Sequence, residues 1–576
     1  MILVTQDKIN EYTSQGWWGE RMIGELFLAQ AERLGQQLAV ADPPNRPSIT
    51  GDAAQCWSWQ QLLAQVGRHA AFLHKQGLRK DDVIVMQLPN TVEMHAIYLA
   101  CAMLGVVVSP VPMQYRAHEL RHVVDSTQAR LAITTVRVGQ YRSAEQWLSH
   151  AHLLPSVQKV WSYGDEVPEG CGQLKQALAE ESAWDAGQLR AHMHMIGLTA
   201  HDVFTICWTS GTEAQAKGVP RNHNEWLIIG QSVIDAGQLK PGTQMLIPFP
   251  FVNMAGVSTS LVAWLMTGGG LHQHHPFDLE VFVQQLREHP IDYSVAAPAV
   301  LNMLLKQPEK MQGVDLKRLN RVGSGGGPLS EWLVEQMGQQ FGIEVVNYFG
   351  SNEGASMAST PADMPDRSQR AQYFPRVGVP GFEWKLSNSR KISTRLVDLD
   401  TEEDITTAGR VGELRFKGPT IFSGYYRAPE LTARAFDADG YYRTGDLFEI
   451  AGDRLQFYRF AGRHKDIVIR GGMNISSEEV ENLLLGHPKV RESAVIGAPD
   501  PVLGEKVCAV IVPQPGQSVT LEELVHHLRH VEEAAAFKWP EQLIVVDALP
   551  RNPVGKILKR ELRAHFFPRA TEQVSA

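Results

Sequence analysis

The 576-residue chain has few cysteines, and they are scattered and odd in number. They are Cys56, Cys101, Cys171, Cys207 and Cys508. A disulfide framework uses an even set in a short secreted chain, and a zinc site uses paired spacings such as Cys-x-x-Cys. The cysteines therefore predict buried or incidental thiols in a reducing compartment and exclude both kinds of site.

Long basic runs and long apolar runs are also missing. Lys and Arg number 54 against 63 for Asp and Glu, so the net charge is −9, which disfavours nucleic-acid binding. The most apolar stretch, residues 96–108, contains Gly105 and is too short to span a bilayer. The N-terminus lacks the charged-then-apolar order of a signal peptide. These absences predict a cytoplasmic protein with no integral membrane segment and no nucleic-acid partner.

Strand and helix patterns alternate through the first half of the chain. Residues 83–88 predict a buried strand, 91–104 a helix, and 106–108 the next strand. This order predicts the α/β class, with a parallel sheet covered by helices on both faces. The polar residues 163–202 predict an irregular region. His272, His274 and His275 lack metal-ligand spacing and predict solvated loop histidines.

A hydroxyl-rich segment follows the predicted strand at 203–206. Its sequence is Thr209-Ser210-Gly211-Thr212-Glu213-Ala214-Gln215-Ala216-Lys217-Gly218. Amides and hydroxyls in such a loop can donate to a polyphosphate, while a lysine neutralises its charge. A Walker A loop requires Gly before that lysine and Ser or Thr after it, whereas Ala216 and Gly218 stand there. The segment predicts a phosphate loop that is not of the kinase type.

Further motifs follow this loop in order. They are the glycine run 324–329, the strand end 347–354, Tyr-Arg-Thr-Gly-Asp at 442–446, the segment 462–475, and Leu-Pro-Arg-Asn-Pro-Val-Gly-Lys at 549–556. In this order the set resembles the adenylate-forming superfamily of acyl-CoA synthetases, aryl-acid ligases and adenylation domains. The Thr-Glu variant of the phosphate loop is similar to that of some medium-chain and alicyclic acid–CoA ligases.

The resemblance implies a particular architecture and set of small molecules. The expected fold has a large N-terminal domain, residues 1–464, made of parallel-sheet βα layers with a β-barrel-like part. A small, mobile α+β C-terminal domain would span residues 465–576. The implied substrates and cofactors are ATP, Mg²⁺, a small carboxylic acid and CoA, with a phosphopantetheinyl carrier protein as the other candidate thiol. The chain would act as a monomer or a homodimer.

The resemblance also implies a role for each motif residue. Glu353 would bind Mg²⁺, Asn352 would donate to an α-phosphate oxygen where the family has Thr, and Lys556 would be the catalytic lysine. Phe349 would stack on adenine, while Asp446 and Arg463 would bind the ribose. The remaining nucleotide-binding residues would be Thr209, Ser210, Gly211, Thr212, Lys217, Gly326, Gly327 and Pro328. The hinge would be Lys465, with Gly471 and Gly472 at the thiol tunnel, and the acid pocket would include Phe251, Val252, Ser324 and Gly325.

Three functions follow from the resemblance. The first is an ATP-dependent acyl-CoA synthetase that adenylates an apolar acid, because Val252 stands where amino-acid-activating domains have Asp and siderophore aryl-acid ligases have Asn. The alternative is a stand-alone aryl- or acyl-acid ligase that loads a carrier protein, which the 12–18 aromatic pattern favours. A non-catalytic nucleotide-binding relative is the third, although Glu353, Asp446, Arg463 and Lys556 are all present. Glu213, Ala214 and Ala216 depart from the family's phosphate loop.

Overall fold

The computed structural model describes residues 1–209, 215–326, 329, 331–399, 401–463, 467–550, 557 and 559–568. The chain divides into two compact units. The large unit comprises Met1–Met113, Val124–Trp208 and Gly218–Gly462, and the small unit comprises Gln114–Val123, Thr209–Lys217 and Arg463–Ala576. The small unit thus begins two residues before the expected domain boundary and also takes two short segments from earlier in the chain.

The strands are numbered in chain order. They are β1 Leu38–Ala41, β2 Cys56–Ser58, β3 Val83–Met86, β4 Val107–Pro110, β5 Leu131–Thr135, β6 Lys159–Tyr163, β7 Gly172–Gln173, β8 Val203–Thr209, β9 Lys217–Asn222, β10 Met245–Ile247, β11 Leu271–Gln273, β12 Tyr293–Val295, β13 Arg321–Gly325, β14 Glu344–Gly350, β15 Ser356–Ser359, β16 Tyr373–Pro375, β17 Ser393–Val397, β18 Val411–Lys417, β19 Tyr442–Ala451, β20 Phe457–Arg463, β21 Ile467–Arg470, β22 Met473–Ser476, β23 Val490–Asp500, β24 Gly504–Pro513 and β25 Gln542–Val545.

The α-helices are numbered in the same way. They are α1 Gln6–Ser14, α2 Ile23–Leu34, α3 Arg46–Ile49, α4 Trp59–Lys75, α5 Val92–Leu104, α6 Ala117–Thr127, α7 Ser143–Ser149, α8 Leu174–Ala179, α9 Ala186–Met195, α10 His223–Gly237, α11 Met254–Val257, α12 Trp264–Thr267, α13 Leu279–Glu288, α14 Pro298–Lys306, α15 Glu331–Phe341, α16 Arg367–Gln372, α17 Pro429–Ala435, α18 Ser477–Leu485, α19 Leu521–His530 and α20 Lys559–Phe566. A π-helical segment, Ser258–Ala263, lies between α11 and α12.

The described residues of the large unit form three sheets. One has the strand order β7-β6-β5-β3-β4-β8-β9 and a second has the order β15-β14-β13-β12-β10-β11-β1-β2. In the second, β1, β11, β10, β12, β13 and β14 pair in parallel, while β2 and β15 pair antiparallel at its edges. The third, β16-β20-β19-β18-β17, has the antiparallel pairing expected of the barrel-like part. The predicted α/β class with parallel sheets is confirmed.

The centre of the large unit is α5, whose residues are all buried. It packs against α2, α4 and α9, so each of its faces meets another element. Residues that are apolar around the whole helix, rather than along one stripe, suit such an enclosed position. The most apolar run of the sequence is therefore a core helix followed by β4, and no described helix is long and apolar enough to cross a membrane.

The small unit is built on an antiparallel sheet, β22-β21-β24-β23, to which β25 adds in parallel. A buried ion cluster attaches the segment Gln114–Val123 to the rest of the small unit. Lys538 Nζ lies 2.9 Å from Glu119 Oε1 and 2.7 Å from Glu479 Oε1, and the three side chains are nearly inaccessible to water. Burial alone would raise the pKa of Glu119, but the Lys538 ammonium holds it below its usual value. Both carboxylates therefore share one buried counter-charge.

Two expectations about local structure were wrong. Residues 163–202 are not irregular, because they contain β7, α8 and α9. His272, His274 and His275 are buried, not solvated. His272 belongs to β11 and stacks on His289 with ring centroids 4.1 Å apart, and His274 Nδ1 lies 2.7 Å from Gln285 Oε1. Histidines can enter the core here because the neutral imidazole packs like an aromatic ring.

Buried imidazoles should make the fold sensitive to acid. Burial lowers the pKa of five histidines from 6.5, to about 3 for His272 and to about 4 for His69, His95, His223 and His275. Between pH 6.5 and these lowered pKa values, the unfolded chain therefore binds more protons than the folded chain. Stability should be fully present above pH 6.5 and fall as the pH drops toward 4, by about 1.4 kcal/mol per pH unit for each proton.

The urea-unfolding midpoint measured from pH 7 to pH 4.5 tests this expectation. His69→Gln should reduce the uptake of protons on unfolding by about one, because one imidazole is removed. A midpoint that does not change between pH 6.5 and pH 5 would contradict it.

Candidate functional site

Three of the predicted site segments lie at one edge of the eight-stranded sheet. Strands β10, β13 and β14 belong to its parallel part, with β12 between β10 and β13. The predicted pocket turn follows β10, the glycine run continues from β13, and the Glu353 turn follows β14. Ligands of open parallel sheets bind beyond the carboxyl ends of the strands. The topology of the large unit therefore brings these segments to one edge.

Asn352 ties two of these regions together through its side-chain amide. Its Oδ1 accepts a hydrogen bond from the backbone N–H of Met254 at 2.7 Å. Its Nδ2 donates to the carbonyl of Trp208, near the end of β8, at 3.2 Å. An amide can make both contacts because it carries an acceptor and two N–H donors. One of those N–H groups is thereby committed to the protein.

Glu353 presents a largely buried carboxylate. The hydroxyl of Tyr425 donates to its Oε1 at 2.9 Å, and the backbone N–H of Phe422 donates to its carbonyl at 2.9 Å. Gly354 follows with a φ of +100°, a conformation that an L side chain rarely adopts. The turn therefore has a fixed backbone path, with a single carboxylate held by a phenol.

Tyr442 lies near both acidic side chains of the site, Glu353 and Asp446. Burial raises the pKa of its phenol well above the usual value, and the nearby carboxylates of Glu353 and Asp446 raise it further. Asp446 lies in a bulge of β19, where the register with β18 shifts between Glu413 and Arg415. A bulge redirects a side chain out of the regular alternation. Glu353 and Asp446 thus lie around one neutral phenol.

The adenine-binding candidates occupy different environments. The half-buried ring of Phe349 packs against Phe448 with centroids 5.2 Å apart and also contacts Phe374 and Phe416. Gly326 has a φ of +80°, a backbone conformation that favours glycine, although a Cβ placed there would meet open space. Gly327 and Pro328 lie outside the described residues.

Ser324 and Gly325 are consecutive residues at the end of β13, where side-chain positions alternate between the two faces of the sheet. A Cβ at Gly325 would lie 2.6 Å from the carbonyl oxygen of Tyr348. Ser324 is fully buried, and its hydroxyl finds no hydrogen-bond partner among the described residues. Gly325 has no side chain to line a cavity, and the assignment of both residues to the acid pocket stays a prediction.

The predicted pocket turn is anchored to the core by Asn90. This side chain donates to the carbonyl of Phe249 at 2.7 Å and accepts from the N–H of Phe251 at 3.0 Å. The Phe251 ring is fully buried and stacks on Tyr98 with centroids 4.4 Å apart. Val252 is also buried. The turn thus has a rigid, apolar base. The assignment of Phe251 and Val252 to an acid pocket stays a prediction.

Asn253 has a structural role next to this turn. Its Oδ1 accepts from the N–H of Gly256 at 3.1 Å and so caps α11. Capping by Asn satisfies one of the N–H groups that a helix start leaves unpaired. Asn253 therefore does not supply the polar side chain that aryl-acid ligases place after the aromatic residue.

The described residues of the phosphate loop from Thr209 to Lys217 belong to the small unit, and Gly218 belongs to the large unit. Thr209 ends β8, and its hydroxyl is buried without a partner among the described residues. Lys217 begins β9, and the carbonyl of Ala216 accepts from His122 Nε2 at 2.7 Å. Ser210, Gly211 and Thr212 lie outside the described residues, so their phosphate-binding assignment stays a prediction.

The hinge region is described only in part. Gly471 and Gly472 form the two-residue turn between β21 and β22, with φ values of +55° and +82°. Such hairpin turns need positive φ at both positions, which explains two glycines in succession. The backbone of Arg463 ends β20, while its side chain is outside the described part of the chain, as are Lys465 and Lys556.

Arg221 was not predicted from the sequence. It lies in β9 with no exposed surface and donates from Nη1 to the carbonyl of Asn352 at 3.2 Å. The sequence feature that could have indicated its burial is its place directly after the apolar pair Val219-Pro220. A single sequence does not tell whether such a residue turns inward. Tyr425 was likewise not predicted as a site residue, and its hydrogen bond to Glu353 is found only in the structure.

Comparison with known proteins agrees with this arrangement. Residues 36–426 match the family model described as AMP-binding enzyme, and residues 479–556 match that of the AMP-binding enzyme C-terminal domain. A medium-chain fatty-acid–CoA ligase of Escherichia coli is 29% identical over 571 residues, which cover 98% of this chain and 94% of that protein.

Two further similarities extend the comparison. A salicylyl-CoA synthase / salicylate adenylyltransferase of a Streptomyces species is 28% identical, over 97% of this chain and 96% of that protein. The structure of the amide bond synthetase McbA from Marinactinospora thermotolerans superimposes with a TM-score of 0.75 at 23% identity. It covers 95% of this chain and 100% of that chain and shows the shared fold.

Replacing Asn352 by Thr should destabilise the protein. The shorter side chain cannot reach both Met254 N–H and the Trp208 carbonyl, so at least one buried backbone group loses its partner. An unsatisfied buried group costs about 1–3 kcal/mol. Urea unfolding measures the loss. Asn320→Thr is the matched control at an exposed position, and equal destabilisation by the two variants would contradict the role of Asn352.

Proposed function

The chain belongs to the family of AMP-binding enzymes and is an adenylate-forming ligase, and we propose from this premise that it is an acid–thiol ligase that joins an apolar carboxylic acid to CoA. The main support is the group formed by Glu353, Tyr425 and Asp446 around Tyr442. It combines a carboxylate suited to a metal with one suited to a ribose. The medium-chain fatty-acid–CoA ligase relative favours the same acceptor thiol.

The residues fit a magnesium ion that is bound mainly through the nucleotide. Mg²⁺ prefers oxygen ligands and is commonly held by one or two carboxylates together with substrate phosphates and water. Glu353 supplies one such carboxylate, and no group of three potential ligands occurs among the residues that the structure describes. When bound, the ion would neutralise phosphate charge. Glu353 would orient it from a rigid turn.

The first half-reaction needs charge neutralisation and no general base. A carboxylic acid is already ionised at neutral pH, so its oxygen can attack the α-phosphorus directly. The phosphorus–oxygen bond to pyrophosphate breaks as the bond to the acid forms, which gives acyl-AMP. Lys217 and the loop donors would hold the departing phosphates. Lys556 would bridge the acid and an α-phosphate oxygen, where negative charge is shared in the transition state.

The second half-reaction needs a different group at the acyl carbon. The thiol gives up its proton to solvent, and its sulfur forms a bond to that carbon as the bond to AMP breaks, so AMP leaves and a thioester remains. Lys556 has no role in this step, and Lys465 would be the hinge about which the C-terminal domain turns. The glycine turn 471–472 would give the pantetheine arm room. Domain motions of this kind take microseconds to milliseconds.

A stand-alone aryl-acid ligase that loads a carrier protein is the second candidate. The salicylate-activating relative favours it. The N-terminal aromatic residues give it less support, because Tyr12 and Trp18 pack on each other with centroids 4.9 Å apart. Val252 and the helix-capping Asn253 leave the turn without a polar side chain for an aryl hydroxyl. The proposal therefore keeps an apolar acid and CoA.

Pyrophosphate release measured over a panel of acids tests the substrate class. Aliphatic and alicyclic acids should be activated, and free α-amino acids should not, because a buried, unpaired ammonium costs several kcal/mol. Repeating the panel with and without CoA tests whether CoA, and not a carrier protein, is the acceptor thiol. Robust release with any α-amino acid, or with salicylate and no aliphatic acid, would refute the proposal.

Lys556→Ala should separate the half-reactions. Adenylation should fall by about 10²–10³, the usual cost of one transition-state contact, while thioester formation from supplied acyl-AMP is spared. Lys559→Ala is the matched control nearby, since Lys559 forms an ion pair with Glu481 at 2.7 Å. Equal loss of both half-reactions in Lys556→Ala would make that lysine structural.

A further inference from the structure

Arg221 is a buried cation for which the proposed chemistry has no use. Its side chain is fully inaccessible to water, and its guanidinium lies 5.3 Å from the ring centroid of Trp226. The nearest carboxylate is that of Glu225, with Nε and Oε2 4.0 Å apart. Nε itself has no hydrogen-bond partner among the described residues. A guanidinium so incompletely paired is costly to bury.

The two terminal nitrogens of Arg221 have defined partners instead. Nη1 donates to the carbonyl of Asn352 at 3.2 Å, and Nη2 donates to the carbonyl of Thr420 at 2.9 Å and that of Glu225 at 3.4 Å. The first carbonyl immediately precedes Glu353. Thr420 lies two residues before Phe422, whose N–H donates to the Glu353 carbonyl. Arg221 therefore binds both backbone segments that fix Glu353.

The turn packs directly on this guanidinium. A Cβ placed on Gly354 would lie 2.6 Å from Arg221 Nη1 and 1.8 Å from the Thr420 carbonyl oxygen. Any side chain there would displace the turn or the arginine. The planar fork of arginine can bond two carbonyls in different directions, which a lysine ammonium does less rigidly. The position of the turn is therefore set by Arg221 on one side and by Tyr425 on the other.

We propose that Arg221 is a positioning residue that fixes the Asn352–Glu353–Gly354 turn, so that the Glu353 carboxylate is aligned for the magnesium of MgATP. The inference rests on the proposed function. Arg221 acts through the backbone carbonyls and makes no hydrogen bond to the carboxylate, so Oε2 is not engaged by the arginine while Oε1 accepts from Tyr425. Groups that orient a metal ligand typically change metal affinity by about 10- to 100-fold when they are removed.

The test compares the Kd of a non-hydrolysable ATP analogue with Mg²⁺ and with EDTA, by titration calorimetry of the full chain. The magnesium dependence of binding is the Kd in EDTA divided by the Kd with Mg²⁺, so a larger ratio means that the ion contributes more to binding. Arg221→Lys and Arg221→Met should reduce this ratio by about tenfold or more, with Kd in EDTA unchanged. Lys keeps the charge beside Glu225, so it also serves if the Met variant fails to fold.

Arg370→Met is the matched control. Arg370 is equally buried, pairs with Glu344 and donates to the carbonyls of Met364 and Pro365. Its loss should lower stability but leave the magnesium dependence at the wild-type value. Equal reductions in the Arg221 and Arg370 variants, or a wild-type ratio in Arg221→Lys, would overturn the inference.

A double-mutant cycle with Glu353→Gln identifies the route of the effect. The single Glu353 variant should remove the magnesium dependence, and Arg221→Lys should then cause no further loss. Additive losses would mean that Arg221 acts elsewhere. If the wild-type chain itself binds the analogue without any magnesium dependence, the proposed function fails. If that dependence is present and only the arginine variants leave it intact, the inference alone fails.

Discussion

The position of the Glu353 carboxylate depends on hydrogen bonds that its turn makes with four other segments of the chain. Arg221 of β9, Trp208 of β8, Met254 of α11 and the 420–425 segment all contact the turn through defined polar groups. Buried backbone groups must find partners, so each contact also satisfies a donor or acceptor that water cannot reach. Stability and alignment of the carboxylate therefore have the same cause.

The parallel sheet explains why these segments meet. Strands β10, β13 and β14 run in the same direction, and the loops that leave their carboxyl ends therefore share one edge. The alternation of strands and helices was visible in the sequence, because apolar runs of strand length and helix length are separable by their period. The fold class could thus be predicted from the pattern, whereas the pocket turn and the Glu353 turn were identified through the resemblance to the adenylate-forming superfamily.

The side-chain contacts within the site could not be predicted in this way. The donation of Asn352 to a phosphate stays a prediction, whereas its contacts with Trp208 and Met254 were not expected. The buried histidines and the burial of Arg221 were missed for a related reason. Whether a polar side chain turns inward depends on partners that are distant in sequence, as Thr420 is from Arg221. Periodicity records the local pattern alone.

The choice of partners around Glu353 has a further electrostatic consequence. Burial lowers the pKa of Arg221, while the nearby carboxylates of Glu225 and Glu353 oppose that shift. Arg221 therefore attracts Glu353 through space, while its two terminal nitrogens, Nη1 and Nη2, donate to backbone carbonyls. A direct, bidentate ion pair would have occupied both carboxylate oxygens. Holding the backbone in place of the carboxylate keeps the turn rigid and leaves the acid able to accept a cation.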